Sequence, residues 1–531
     1  MKLLTRMTLL FLTALALVTA AYAEHSDTDI AYAVMGGNLY FDKATGTVTE
    51  CEWSVTEAVI PARIDGVAVT AIGSYAFDNC YRLKSVTIPE GVISLGKNAF
   101  AYCSDLESAK IPNSVTSIGD WAFFLCRSLK SAKISSNVVS MGGQVFSGCS
   151  SLAAIDVEEA NANYVSLNGV LLNKTQTQLM CYPGGKTEKA YRIPDSVSSI
   201  DSRAFFEAAN LESVEIPDSV ISIKWCAFED CSSLKNIAVA EGNENYSSLN
   251  GVLCNKTRTN LVCYPAGKAE MSYNIPDGIS SIEEYAFSGT KALQYVAIPN
   301  SVTFIGNLAF ARCSGLISVE LPNSITSIPG EMFNECFNLK TVRIPDSITY
   351  IGSYAFVSCN ALQSIGIPDS VTSIGMEAFW CDNLRDVYYG GSKAQWEQIE
   401  GLAESRLISD NITIHYNSAM PDTPDAPEFA APSAPTVGGR AISKADLSGL
   451  TEISVPVSVS ADTPTQVTLC VPFFDGGKFL GMGFVTATVD KNTDSVTVPV
   501  TGDVSGAGKL SVIFADADFR PLSVGSFDIA A

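Results

Sequence analysis

The sequence predicts a repeat solenoid of about eleven 23-residue coils followed by a small all-β sandwich. Three observations carry that reading: a phrase that recurs in phase through the middle of the chain, a Pro-rich break near residue 420, and β-rich runs beyond it. Ile88-Pro89 leads through Cys103 to Ile111-Pro112, which leads through Cys126 to Ile134, and the same 23-residue step links Ile275, Ile298, Leu321, Ile344 and Ile367. A fixed period of this length is the mark of stacked supersecondary units.

Eleven Phe residues mark the copies: Phe77, Phe100, Phe123 and Phe146, then Phe205 and Phe228, then Phe287, Phe310, Phe333, Phe356 and Phe379. The steps from Phe146 to Phe205 and from Phe228 to Phe287 are 36 residues longer than the repeat. Each holds a matching insert, running from Tyr164 to Leu172 and from Tyr246 to Cys254, then Cys181-Tyr182-Pro183 and Cys263-Tyr264-Pro265. Short apolar runs around a Lys-Thr turn predict a β-hairpin in each, near 158–192 and 240–274.

A single copy shows why the pattern makes a coil. Between Ile111 and Ile134 the apolar set is Val115, Ile118, Ala122, Phe123, Cys126, Leu129, Ala132 and Ile134. Val115–Ile118 and Leu129–Ile134 suit short strands, the second ended in most copies by a Pro that cannot donate to a ladder. Gly119 allows a turn, and Trp121–Cys126 fits one helical or 3-10 turn. So few buried groups cannot offset the entropy of ordering 23 residues, so the copies must stack and share their cores.

The remaining segments follow in order. Lys2 and Arg6, the apolar run Leu9–Val18 and Ala21-Tyr22-Ala23 read as a signal peptide over 1–23, cleaved before Glu24. Residues 24–75, with Trp53, predict an irregular N-terminal cap, and the solenoid occupies 76–390. Residues 391–418 predict a C-terminal cap in which Trp396 on a short helix covers the last coil. Pro, Ala, Asp and Thr over 419–440 read as a stiff linker. Six β-rich runs, from Thr451–Ser460 to Leu522–Ile529, predict an immunoglobulin-like sandwich over 441–531 by strand count.

The recurring phrase Ile-Pro-x-Ser-Val-Thr-x-Ile-Gly-x-x-Ala-Phe-x-x-Cys-x-x-Leu closely resembles the BspA-like leucine-rich-repeat family over about residues 60–390. The resemblance implies a secreted or surface protein for adhesion or recognition, with no shared catalytic residues to carry over.

Charge limits the partners. Without Lys2 and Arg6 the chain holds 32 basic against 56 acidic residues, a net charge of −24. That sign argues against nucleic acid and anionic lipid, and no segment after the signal is long and apolar enough to insert in a membrane.

Candidate sites are weighed against simple packing. Cys80, Cys103, Cys126, Cys149, Cys231, Cys313, Cys336 and Cys359 each follow the repeat Phe by three residues, where Ala208 and Thr290 stand in other copies. Exchange with small residues reads as a packed, reduced ladder rather than disulfides. Cys254 and Cys263 flank a hairpin turn, and their pairing is left open. Asp156–Asn163 and Glu241–Asn245 fit no recognised Ca²⁺ loop and read as solvated turns. The only two His residues are His25 and His415, the latter read as an outward strand residue. No catalytic set, metal site or cofactor is expected.

The surface is the remaining candidate. In each strand before the Ile-Pro step, the residues one and three before the Ile, such as Ser85 and Thr87 before Ile88, lie off the buried register. Among these positions and their neighbours, Tyr295, Glu320, Arg343, Asp386 and Tyr388 are the candidate anchors, Tyr and Arg being enriched in binding hot spots. The expected role is an exported, non-catalytic binding or adhesion protein, its partner a protein or glycan on a host cell, matrix or neighbouring microbe. The alternatives are a carbohydrate-active enzyme using a carboxylate pair and a structural surface-layer component.

Overall fold

The computed structural model describes residues 29–409 and 411–418 and, beyond them, 436–437, 440–442, 447, 450–456, 465–475, 478–489, 495–502, 509–515 and 521–528. The signal segment 1–23 and nearly all of the linker 419–440 lie outside the described residues. The chain divides into two compact units, residues up to 269 with 281–291, and 270–280 with 292–531.

The first unit is a β-solenoid. Its coils carry two rows of very short parallel strands, one through Ala71–Ile72, Ser94–Leu95, Ser117–Ile118 and Ser140–Met141, the other through Glu57–Val59, Ser85–Thr87 and Ser108–Lys110. From Ala71 and from Ser85 onward the two rows pair with a register offset of 23 residues, so each apolar side chain sits on its own copy in the next coil; the entry pair Glu57–Ser85 is offset by 28. Phe77, Phe100, Phe123 and Phe146 stack with centroids 4.7, 5.2 and 5.5 Å apart. All four are buried, each side chain gaining about 1.5–3 kcal/mol on leaving water.

The segment around each Phe is not the helical or 3-10 turn expected over Trp121–Cys126. It forms linked turns with left-handed residues at two places in most coils, usually not glycine, such as Tyr75 (φ 63°) and Asn79 (φ 59°), then Trp121 (φ 55°) and Leu125 (φ 57°). Such a φ costs roughly 1–2 kcal/mol per residue. What offsets it is the direction of the N–H groups. Tyr75, Phe77 and Asn79 donate to Lys97, Ala99 and Ala101 of the next coil at 2.8, 2.8 and 2.9 Å, whereas a helix would turn those donors back on its own chain. The glycine before this segment has a separate reason. A Cβ on Gly119 would sit 2.5 Å from the Lys97 nitrogen in the preceding coil, so close stacking, not turn geometry, excludes a side chain there.

The Cys ladder has a specific partner. Cys103, Cys126 and Cys149 are buried, and each Sγ donates to the carbonyl oxygen of Phe77, Phe100 or Phe123 in the preceding coil at 3.0–3.1 Å. Burial pushes all three thiols above their ordinary pKa. The fourteen cysteines from Cys51 to Cys381 are free thiols. Cys254 pairs across its hairpin with Leu261, while Cys263 pairs with Leu253, so the two cysteines do not face each other.

Each insert is a three-stranded antiparallel meander rather than one hairpin: Tyr164–Leu167, Val170–Asn173 and Gln178–Cys181, then Tyr246–Leu249, Val252–Asn255 and Asn260–Cys263. The third strand rejoins the parallel row, Gln178 and Leu179 pairing with Ser199 and Ile200. Tyr182 then takes the place of a repeat Phe, stacking on Phe205 at 5.2 Å and donating its N–H to Ala204 at 2.7 Å. Tyr264 does the same against Phe287 and Ala286. Each insert thus contributes a coil that counting Phe residues overlooks.

Before the first coil, Ile30–Val34, Gly37–Asp42 and Thr47–Cys51 form an antiparallel meander whose last strand pairs in parallel with Ala71–Ile72. In the second unit, Ser272–Asn274, Tyr295–Ala297, Ser318–Glu320 and Thr341–Arg343 form one parallel sheet, and Ser364–Ile367, Asp386–Tyr389 and Thr413–Tyr416 another. The helix Lys393–Trp396 has a capping box between Ser392 and Gln395, and it buries Trp396 against Tyr389 at 5.1 Å. The six tail runs are strands, at Glu452–Pro456, Thr465–Asp475, Lys478–Val489, Ser495–Gly502, Lys509–Ala515 and Pro521–Asp528, all paired antiparallel.

Candidate functional site

The candidate anchors all lie in the second unit, Tyr295, Glu320 and Arg343 on one parallel sheet and Asp386 and Tyr388 on another. Parallel pairing places Ala297, Glu320 and Arg343 in one outward row. Glu320 and Arg343 form a salt bridge of 3.2 Å, with side chains 71% and 81% exposed, which leaves both groups open to a partner. Tyr295 lies in the neighbouring row with Ser318 and Thr341 and is half-buried, so it does not join the charged pair.

Asp386 and Tyr388 are brought together by a residue the sequence reading treated as a plain outward strand position. The His415 Nε2–H donates to Asp386 Oδ1 at 2.8 Å, and its ring stacks on Tyr388 with centroids 4.5 Å apart and planes 10° from parallel. Pairing in register explains the cluster: Asp386 lies beside Thr413 and Tyr388 beside His415. The result is a pre-ordered patch of one carboxylate and two stacked rings on a rigid sheet. A charge-bearing pair and flat rings suit recognition by hydrogen bonds and stacking.

A second cluster, in the first unit, was not anticipated. Arg203 is surrounded by the rings of Phe206, Trp225, Phe124 and Tyr285 at 5.3, 5.0, 5.8 and 6.0 Å from the guanidinium. It also bonds the Glu229 carboxylate at 2.8 Å, and that carboxylate is only 2% exposed. Burial works against the charge on Arg203, but Glu229 overrides it and holds the guanidinium pKa above its ordinary value. Loss of either partner would strand a buried charge, so the group is a structural staple. Its sequence signal was a second Phe, Phe124 and Phe206, directly after the repeat Phe, where Ala101, Ser147, Ser288 and Ala311 stand in other copies.

The inserts hold two further residues that the sequence reading placed among solvated turns. Asn161 is buried; its Nδ2 donates to Ser135 and Val138 carbonyls, and its Oδ1 accepts from the Asn163 and Tyr164 N–H groups. Asn243 repeats every one of these bonds with Pro217, Val220, Asn245 and Tyr246. The recurrence of Asn-x-Asn-Tyr at 161–164 and 243–246 was the available signal. Among the described residues no group of three or more His, Cys, Asp or Glu side chains is arranged to hold a metal ion.

Where the first insert breaks the coil stack, a cleft of about 490 Å³ opens between Val139–Gln144 on one wall and Asn173, Gln178, Met180, Asp201 and Lys224 on the other. Gln178 Nε2 lies 2.8 Å from both oxygens of Asp201, and Lys224 Nζ meets the same carboxylate at 2.5 Å.

The BspA-type leucine-rich-repeat region is matched in six copies over residues 54–168, 181–257 and 267–387, more than half of the chain. The chain belongs to the BspA-type leucine-rich-repeat family. Among solved structures it is similar to a leucine-rich cell surface protein from Faecalibacterium prausnitzii, at 30% identity over 70% of this chain and 98% of that one, with a TM-score of 0.43. It is also similar to the pneumococcal vaccine antigen PcpA, at 21% identity over 74% of this chain and 92% of that one, TM-score 0.39. A leucine-rich-repeat protein from Eubacterium ventriosum shares 24% identity over 67% of this chain and 95% of that one, TM-score 0.31. A search of curated proteins finds no significant match. The family match stops at residue 387, so of the anchors in this leucine-rich-repeat chain it takes in Tyr295, Glu320, Arg343 and Asp386 but not Tyr388 or His415. No helix among the described residues is long and apolar enough to cross a membrane.

Proposed function

We propose that this leucine-rich-repeat chain is an exported, non-catalytic binding or adhesion protein whose partner is a protein or glycan on a host cell, matrix or neighbouring microbe. The observation that supports this reading most directly is the ordered face of the second unit, where Asp386, Tyr388 and His415 lock together beside a sheet that also exposes Glu320 and Arg343. Rings and charged groups held by backbone pairing lose little entropy when a partner docks. Residues 1–23 direct export, and the tail strands, read as an immunoglobulin-like sandwich, space the array from whatever retains it.

The experiment is a binding screen of the purified chain against extracellular-matrix proteins, host cells and immobilised glycans. Binding at micromolar concentration, weakened roughly tenfold or more by Arg343→Ala combined with Tyr388→Ala, is the expected result. Absence of binding to every class overturns the reading.

A further inference from the structure

We propose that the cleft made by the first insert is a binding site for a neutral oligosaccharide. This rests on the binding reading above and assigns it a ligand class and a place. The cleft exists because the insert breaks the parallel sheet: the row that begins in the N-terminal meander ends at Ser140–Met141, and the next sheet begins with Tyr164–Leu167. Its volume of about 490 Å³ lies within the range of small-molecule sites.

Three features select the ligand. An open strand edge would ordinarily invite an added peptide strand. Here Tyr164 stands beside Met141 in the lining, and in the second insert its counterpart Tyr246 closes the matching strand, its hydroxyl accepting from the Ile223 N–H at 2.8 Å. Recognition therefore falls to side chains. Those side chains are polar but balanced in charge: Asp201 is matched by Lys224 and bound twice by Gln178, and the Asn163 and Asn173 amides lie alongside. Gln144, held at a φ of 57°, adds an amide on the cleft wall whose Oε1 has no hydrogen-bond donor among the described residues.

Met141, Met180 and the 62% exposed Val139 give the lining its aliphatic part. A sugar ring offers the counterpart to both kinds of surface. Its hydroxyls donate and accept at once, as a carboxylate, an ammonium and amides require, and its C–H face packs on aliphatic side chains. Anionic glycans fit poorly, since the cleft already holds Asp201 and the whole chain carries a charge of −22.

The test titrates the full purified chain with neutral tetrasaccharides built from glucose, galactose, mannose or N-acetylhexosamine, and with sialylated counterparts, by ligand-observed NMR and calorimetry. At least one neutral compound is expected to bind with a micromolar to millimolar Kd and the sialylated forms more weakly. Gln178→Ala weakens that binding roughly tenfold. Val139→Lys, at an exposed wall position that tolerates the change, blocks it, and Lys130→Ala, away from the cleft, leaves it unchanged. No neutral binding at millimolar concentration, a preference for sialylated compounds, or binding unaffected by both cleft variants overturns the assignment. Cell or matrix capture that persists in Val139→Lys without any oligosaccharide binding sinks this site alone and leaves the broader binding reading intact.

Discussion

The regular coils over residues 76–146 and the insert-bearing stretch over 155–205 use the same apolar ladder but close their edges differently. In the regular coils the outward donors around each repeat Phe meet a backbone carbonyl 22 residues on, as Phe77 meets Ala99 and Phe100 meets Ala122. At the inserts side chains take over part of that role: the four bonds of Asn161 in the first, and in the second the Tyr246 hydroxyl that accepts from the Ile223 N–H. A repeat interface is cheap in side-chain polarity because backbone pairs with backbone. A break in register has to be closed by specific polar residues, and it leaves a cleft.

The largest expected effect follows from the thiols of the regular region. Burial raises the pKa of Cys103, Cys126 and Cys149 in the folded chain, whereas the coil after the first insert carries Ala208. Since the folded pKa lies above the unfolded value of roughly 8.5, the contribution is intact below that pH; above it unfolding releases protons and stability falls by about 1.4 kcal/mol per pH unit for each thiol. Urea midpoints measured under reducing conditions should be flat near pH 7–8 and drop steeply above roughly pH 8.5. A level profile to pH 10 or so would show that these thiols are not buried as described.

Next comes the ladder itself. Phe123→Ala removes a ring stacked on both sides, at 5.2 and 5.5 Å, and should cost about 3–5 kcal/mol in chemical denaturation. Asn161→Ala strands two carbonyls and two N–H groups and should cost roughly 3 kcal/mol, approaching the core ring although it removes only a small polar side chain. An effect below about 1 kcal/mol would break the argument that inserts depend on polar closure. Tyr246→Phe, which deletes only the hydroxyl bonded to Ile223, should cost about 1 kcal/mol, with local loss of amide protection at Ile223 as the sharper readout. Smallest of all, Arg343→Ala should leave the unfolding midpoint unchanged, because its pair with Glu320 is solvent-screened; any effect of that variant should appear in binding alone.

Much of the architecture was legible in the spacing of side chains. The 23-residue period picked out the buried residues, from Val115 to Ile134 in a single coil, because stacked coils bury equivalent positions and selection for packing leaves the same residue type there. The six tail strands were legible for a related reason, since alternating apolar runs end at turn residues. The five surface anchors were only half legible. Strand alternation placed them outward, but Glu320 joins Arg343 and Asp386 joins His415 through pairing between strands whose registers are 23 and 27 residues apart.

By itself, then, the amino-acid order determined the period, the buried set and the family, all of which depend on residue type at regular intervals. Tertiary structure alone decided the left-handed turns in place of a helix, the service of Tyr182 and Tyr264 as ladder rings, the enclosure of Arg203 and the opening of the cleft. The physical reason is common to all four. Each depends on how one coil's backbone and side chains meet those of the next, and inserts that interrupt the period erase the spacing from which such contacts would be read.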